Sequence, residues 1–277
     1  ANLYEFDANL AKPINFDDKT DLVRRPKDMS LSNRKLCEAL KCEIPSIDEQ
    51  ILRLKNQEEG RFNTLYQVSV DIIPYGRHNI DEDDVTAVVE LLRNGMLTQG
   101  PKVDEFENKL ANYVGVKYAL AVSSGTAALH LASIALELGN GDEIITSPNT
   151  FVATSNSILY VGARPVFVDI DKQTLNIDIE QIEKVITSSK NIKAIFPVHF
   201  AGLPCDMEKI RQIADKYNLM IVEDAAHALG ATYKNGSKVG NCQYSDMTIL
   251  SFHPVKGIAA GEGGMITTND EKLYEKL

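Results

Sequence analysis

Short apolar runs alternate with amphipathic segments from about residue 72 to the end of the chain. Apolar side chains recur every three or four residues in segments that predict helices at 82–94, 103–114, 126–138, 178–188 and 206–217. Runs rich in Val and Ile predict strands at 118–122, 143–146, 164–168, 194–197, 220–222 and 247–252. Because strands separated by helices form parallel βαβ units, the pattern predicts an α/β domain with a mostly parallel sheet.

The first part of the chain differs in composition and in its pattern of apolar residues. Residues 1–54 carry many charges, little strand signal and one helical pattern, which follows a Ser46 cap with Glu49 three residues beyond it. Residues 55–71 are polar with a weak apolar tail and indicate a linker, so the predicted main domain is 72–277. The chain begins with Ala1 and stops at Leu277 inside a helical pattern, and we therefore expect it to be a piece of a longer polypeptide.

Composition narrows the possible functions. The 277 residues are 44% hydrophobic and 25% charged, as in ordinary soluble proteins, and the formal net charge is −10. An acidic chain argues against a nucleic-acid or anionic-membrane partner. Because no apolar run reaches roughly 20 residues, and residues 1–9 carry two acids and no basic side chain, we expect neither a membrane span nor a signal peptide. The four cysteines lack CxxC spacing, so we expect reduced thiols, no metal site and a cytoplasmic location.

Two reactive side chains follow predicted strands. Lys256 closes the run SFHPVK after the 247–252 strand and precedes a glycine-rich stretch at 261–264, while Asp224 follows the apolar run at 220–222. Ligands of parallel sheets bind beyond the carboxyl ends of the strands. A lysine can form an imine with an aldehyde and a carboxylate can keep a pyridine nitrogen protonated, which are the two groups that pyridoxal phosphate requires. The ordinary alternatives are an exposed lysine and a helix-capping aspartate.

A phosphate site is predicted where a strand turns into a helix. Ser124, Gly125 and Thr126 stand between the 118–122 strand and an apolar helix, whose first N–H groups suit a phosphate dianion. Ser251, shortly before the lysine, could add a hydroxyl to the same phosphate. Taken alone, the segment 124–126 is more typical of plain helix capping than of a phosphate site.

Two further side chains suit the ring of the cofactor. Phe151 could stack on one face of the ring, although a core phenylalanine is the ordinary alternative. His227 lies one helical turn after Asp224 and could reach the phenolic oxygen or the substrate, or serve a structural role. The conjunction of these residues at strand ends favours an enzyme over a binding domain.

The motifs also resemble a known family. The strings SSGTAALH, TSPNTFVATSN, PVHFAG, VEDAAHALGA and SFHPVKGIAAGEGGMITTND resemble the fold-type I sugar aminotransferases of the DegT/DnrJ family. The resemblance implies the large domain of a three-layer αβα fold, incomplete here because the family's C-terminal small domain is missing, and a homodimer with shared sites. The variant HPVK followed by GEGG is most similar to the transaminases of pseudaminic acid biosynthesis.

The resemblance implies specific roles. The expected reaction transfers an amino group from glutamate to C4 of a nucleotide-linked 4-keto-6-deoxy sugar, with pyridoxal phosphate as cofactor, in surface-glycan synthesis. Carried over by motif, Lys256 becomes the Schiff-base lysine, Asp224 the partner of the pyridine nitrogen and His227 the neighbour of the phenolic oxygen. Phe151 becomes the stacking aromatic, and Gly125, Thr126 and Ser251 the phosphate ligands. Leu97 and Thr98 belong to a loop that lines the sugar site in this family.

Two functions other than sugar amination are also compatible with this scaffold. The first is a sugar dehydratase on the same scaffold, which would carry histidine in place of Lys256. The second is a protein of the same fold that has no catalytic activity.

The segments 25–36 and 44–47 resemble the tail of dTDP-4-dehydrorhamnose reductase-like sugar reductases, so residues 1–54 are predicted to be the end of an upstream reductase domain. A divergent N-terminal extension is the alternative.

Overall fold

The computed structural model describes residues 78–277. The predicted reductase-like piece at 1–54 and the linker at 55–71 lie outside the described residues, as do Cys37 and Cys42. The helices are α1 (Glu82–Asn94), α2 (Pro101–Val114), α3 (Gly125–Ala135), α4 (Ala153–Tyr160), α5 (Ile179–Ser188), α6 (Met207–Tyr217) and α7 (Glu271–Lys276). The strands are β1 (Tyr118–Val122), β2 (Glu143–Thr146), β3 (Arg164–Phe167), β4 (Ile192–Phe196), β5 (Met220–Asp224), β6 (Met247–Ser251) and β7 (Gly264–Thr268).

The strands of the described part form one seven-stranded sheet in the order β1-β7-β6-β5-β4-β2-β3. The pairs from β6 through β5, β4 and β2 to β3 are parallel, whereas β7 runs antiparallel to both β6 and β1. Every strand except β7 therefore points the same way. Their carboxyl ends meet along one edge of the sheet, where α/β proteins bind their ligands.

Alternating side chains of the central strands fill two separate cores. Ile145, Ile221 and Leu250 belong to a cluster that includes residues of α2, α5 and α6. Their immediate neighbours Ile144 and Val222 belong to a second cluster that includes residues of α3, α4 and α7. Successive strand residues point to opposite faces, so helices cover both faces of the sheet. The predicted α/β class and three-layer αβα architecture are confirmed.

The structure corrects several details of the predicted elements. It adds α4 and β7, neither of which the sequence pattern had indicated, and it makes β7 antiparallel. Helix α3 ends at Ala135 and not at residue 138, because Glu137 adopts a left-handed conformation with φ 57°. Helix α2 begins at Pro101, two residues earlier than predicted, since proline is well tolerated in the first turn.

Two further properties of the described residues concern their cysteines and their helices. Cys205 and Cys242 are buried free thiols. Among the helices within 78–277, none is both long and apolar enough to cross a lipid bilayer.

Candidate active site

A cavity of about 670 Å³ opens at the carboxyl edge of the sheet. Its walls come from the segments that follow β1, β2, β4, β5 and β6. Sites for cofactors and other small molecules commonly enclose about 300–1,000 Å³. Eight residues predicted to hold a cofactor line this cavity together, namely Ser124, Gly125, Thr126, Phe151, Asp224, His227, Ser251 and Lys256.

Lys256 projects from a tight turn beyond β6. Its backbone N–H donates to the carbonyl of His253 at 2.8 Å, and its Nζ lies 2.5 Å from Nε2 of His227. Burial lowers the pKa of the Lys256 amine, and the nearby Asp224 carboxylate opposes that shift. A lowered pKa increases the neutral fraction of the amine, which is the form that attacks a carbonyl.

His227 is the partner of that amine. Burial lowers the pKa of its imidazole, the Lys256 charge lowers it further, and Asp224 acts in the opposite direction. A neutral ring with its free lone pair on Nε2 can accept a hydrogen bond from the lysine. The pair therefore holds the amine inside the cavity without adding a second positive charge.

Asp224 is the last residue of β5 and is only 5% exposed. Its Oδ1 accepts the backbone N–H of Ala226 at 3.2 Å, and its Oδ2 accepts the hydroxyl of Thr154 at 2.6 Å. No helix begins at Asp224, because the residues that follow it form a turn, so the bond to Ala226 is a turn bond and not the helix cap that the sequence left open. That bond leaves lone pairs of the carboxylate free for a ligand.

The start of α3 forms a cradle of backbone N–H groups. Ser124 caps the helix by accepting the N–H of Ala127 at 3.0 Å, and the first N–H groups of a helix have no partner within it. A Cβ added at Gly125 would lie 2.9 Å from Cβ of Ser251. A Cβ added at Gly264 would lie 2.3 Å from the Ser124 carbonyl oxygen. Both glycines are thus required for the close packing of this helix end against β6 and β7.

Phe151 stands on the cavity wall after β2. The residue is 72% exposed, so the structure does not place it in the core. An exposed aromatic ring on a cavity wall leaves a flat apolar face available to a planar ligand.

Leu97 and Thr98 are not among the residues that line the cavity. They lie in the loop between α1 and α2, where Leu97 is 67% exposed. Their contact with a sugar stays a prediction.

Sequence reasoning overlooked several residues of the cavity, among them Asn149, His199 and His253. His199 comes shortly after β4, and its neighbour Val198 forms a parallel bridge with Asp224 at the same edge. The rule that ligands bind beyond the carboxyl ends of strands was the signal that could have found it.

A buried polar cluster lies beneath this edge on the opposite face of β5. The carboxylate of Glu223 accepts hydrogen bonds from Nε2 of His199 at 2.7 Å, the hydroxyl of Tyr233 at 2.7 Å and the hydroxyl of Thr248 at 3.0 Å. The Ser245 hydroxyl donates to the same carboxylate. Burial alone raises the pKa of Glu223, but the bonds from His199, Ser245 and Tyr233 outweigh burial and hold the pKa below its usual value. The cluster ties β4, β5 and β6 together directly under the cavity.

We expect Glu223→Gln to lower the free energy of unfolding by about 3 kcal/mol at neutral pH, since charged hydrogen bonds contribute about 1.5–3 kcal/mol each. The folded-state pKa of Glu223 is lowered, so its stabilisation is complete above the ordinary carboxyl pKa and is lost as pH falls through the folded value. In urea unfolding experiments between neutral and acid pH, the free energy of unfolding should therefore fall less steeply with decreasing pH in the variant than in the wild type.

The matched control for that experiment is Glu208→Gln, on the exposed side of α6. A surface change of this kind is expected to alter stability by less than about 0.5 kcal/mol. Equal stability of the Glu223→Gln variant and the wild type at neutral pH would contradict an ionised, fully bonded Glu223.

Comparison with known proteins agrees with this geometry. The model of the DegT/DnrJ/EryC1/StrS aminotransferase family matches residues 78–277. The spore coat polysaccharide biosynthesis protein SpsC of Bacillus subtilis is 47% identical over 205 residues, which are 74% of this chain and 51% of that protein. The chain spans about half the length of the curated relatives it matches.

Solved structures give the same result. PseC of Helicobacter pylori, an aminotransferase of pseudoaminic (pseudaminic) acid biosynthesis, is 38% identical with a TM-score of 0.68, over 73% of this chain and 54% of that one. NtdA of Bacillus subtilis, solved with bound cofactor PMP, is 40% identical with a TM-score of 0.65, over 71% of this chain and 44% of that one. The chain belongs to the DegT/DnrJ/EryC1/StrS aminotransferase family.

Proposed function

We propose that the protein containing this chain is a pyridoxal-phosphate-dependent aminotransferase that converts a nucleotide-linked 4-keto-6-deoxy sugar into its 4-amino sugar. The observation that carries the proposal is that Lys256 and Asp224, predicted as the aldehyde and pyridine-nitrogen partners, line one cavity. The family match and the PMP bound to NtdA support the cofactor. SpsC and PseC, through their polysaccharide and pseudoaminic acid pathways, support a sugar substrate.

The residues of the cavity fit the three parts of that cofactor. The α3 N-terminus, with Gly125, Thr126 and Ser251, would hold the phosphate. Asp224 would hold the proton on the pyridine nitrogen, and the exposed face of Phe151 would cover the ring. Lys256, with its pKa lowered by burial, would hold the aldehyde carbon, and His227 would face the phenolic oxygen.

Pyridoxal phosphate supplies an electron sink for the carbanion that forms when an amino acid loses its Cα proton. In the first half-reaction the amine of Lys256 would accept that proton, with glutamate as the expected donor. In the second half-reaction Lys256 would deliver a proton to C4 of the keto sugar. One amine therefore serves both halves, which requires a residue that can gain and lose a proton near neutral pH.

Chemical trapping tests the proposal at the level of one residue. The full-length protein, incubated with pyridoxal phosphate and reduced with borohydride, should carry the cofactor as a secondary amine on Lys256 in peptide mass spectrometry. Adding glutamate before reduction should lower the yield, because the donor displaces Lys256. Modification spread over surface lysines, with none at Lys256, would refute the assignment.

A panel of nucleotide keto-sugars then tests the substrate. With glutamate present, we expect an amino sugar from a 4-keto-6-deoxy substrate and none from the corresponding sugar that lacks the ketone. Release of a dehydrated sugar in place of an amino sugar would indicate dehydratase chemistry.

A further inference from the structure

Two threonine hydroxyls connect α4 to the carboxylate of Asp224. Thr154, in the first turn of α4 and fully buried, places its Oγ1 2.6 Å from Oδ2 of Asp224. Oγ1 of Thr150 lies 2.8 Å from Oγ1 of Thr154. Neither threonine was predicted from the sequence to belong to the site, although Thr150 lines the cavity.

The direction of these hydrogen bonds follows from the groups involved. An ionised carboxylate only accepts, so the single hydroxyl proton of Thr154 is committed to Asp224. The other acceptor for that proton, the carbonyl of Phe151, is farther away at 3.3 Å. Thr150 must then donate to Thr154, which gives the sequence Thr150 to Thr154 to Asp224.

The same segment carries the exposed aromatic ring. The N–H of Thr154 donates to the carbonyl of Phe151 at 3.2 Å, so one short turn holds both the ring and the hydroxyl. On the carboxylate, Ala226 holds Oδ1 and Thr154 holds Oδ2. A donor on each oxygen fixes the plane of the carboxylate and leaves its remaining lone pairs for a ligand.

We propose that Thr154 is a positioning residue for the proposed transamination: supported by Thr150, it fixes the orientation in which Asp224 meets the pyridine nitrogen and aligns that contact with the ring of Phe151. The inference rests on the proposed function, because it concerns the same cofactor. Thr154 acts through Asp224 and touches no reacting atom.

The test compares Thr154→Val with Thr154→Ser in the full-length protein. Valine has the shape of threonine without the hydroxyl, so we expect kcat to fall about 10- to 100-fold, as for a misplaced catalytic group. The NMR shift of an isotopically labelled pyridine nitrogen in the bound cofactor should move toward that of a neutral pyridine. Serine keeps the hydroxyl and should restore both readouts, and Thr187→Val on the exposed side of α5 is the matched control.

The outcomes separate this inference from the proposed function. A Thr154→Val protein with the wild-type nitrogen shift and kcat would overturn the inference alone. Should that variant fail to fold, Thr150→Val decides, because it leaves Thr154 in place and should move the nitrogen shift in the same direction by a smaller amount; no movement would overturn the inference. A wild-type protein that does not take up the labelled cofactor would overturn both proposals.

Discussion

Lys256→Ala is expected to reduce turnover by at least about 10²–10⁴-fold, the usual contribution of a positioned proton-transfer group. The loss should exceed that of any other single change in the cavity, because the proposed reaction uses this amine in three ways. It holds the cofactor between turnovers, accepts the proton from the donor and returns a proton to the sugar carbon. The measurement is single-turnover kinetics of the full-length protein, together with the visible absorbance of the cofactor linked to the lysine.

Chemical rescue gives that experiment a sharp control. A small primary amine added to Lys256→Ala should restore part of the proton transfer, since the cavity then has room for it. Lys172→Ala, at an exposed position, should leave turnover unchanged. Wild-type activity in Lys256→Ala would remove the proposed mechanism, whatever the other residues do.

The sequence predicted the fold where local pattern and tertiary environment agree. Helices α1, α5 and α6 lie within one or two residues of the predicted segments, because each has a polar face and an apolar face. Helix α4 escaped prediction because ATSNSILY has no charged residue and no side-chain cap at its start. Its first turn is held by the hydrogen bond from Thr154 to Asp224, and these two residues lie far apart in the chain.

Strand β7 shows a second limit. Its residues GMITT follow a glycine-rich stretch, and nothing in their local pattern specifies an antiparallel neighbour. The direction is set by pairing with β6, the preceding strand in the chain, and with β1, which lies far earlier in the sequence. Gly264 then makes the close approach to the Ser124 carbonyl possible, a constraint visible only once both segments are in place.

The residues of the candidate site could be predicted wherever the ends of the strands could be predicted. Asp224 and Ser251 end strands that are recognisable from their Val, Ile and Leu content, and Lys256 follows the second of them. Parallel pairing brings those strand ends to one edge. The hydroxyl contacts to Asp224 were not predictable, because a threonine in a loop or first turn is an ordinary capping residue. The roles of all these side chains toward a cofactor stay predictions.

Asp224→Asn is the change with the second largest expected effect, a fall in kcat on the order of 10²–10³-fold, comparable to removing one preorganised electrostatic group from an active site. The amide retains the size of the carboxylate but not its charge, so it cannot hold a proton on the pyridine nitrogen, and the electron sink weakens. The measurement is kcat together with the NMR shift of the labelled pyridine nitrogen, which should move to the neutral value.

Two controls separate charge from structure at Asp224. The exposed Asp104→Asn makes the same chemical change on α2 and should leave kcat unaltered. Thermal unfolding without cofactor isolates the loss of the bonds to Thr154 and Ala226, which Asn cannot both accept with its single amide oxygen. Because Thr154→Val removes one of those bonds and keeps the charge, its kcat should lie between those of the wild type and Asp224→Asn. The reverse order, with Thr154→Val the slower variant, would mean that orientation and not charge is the larger contribution of this carboxylate.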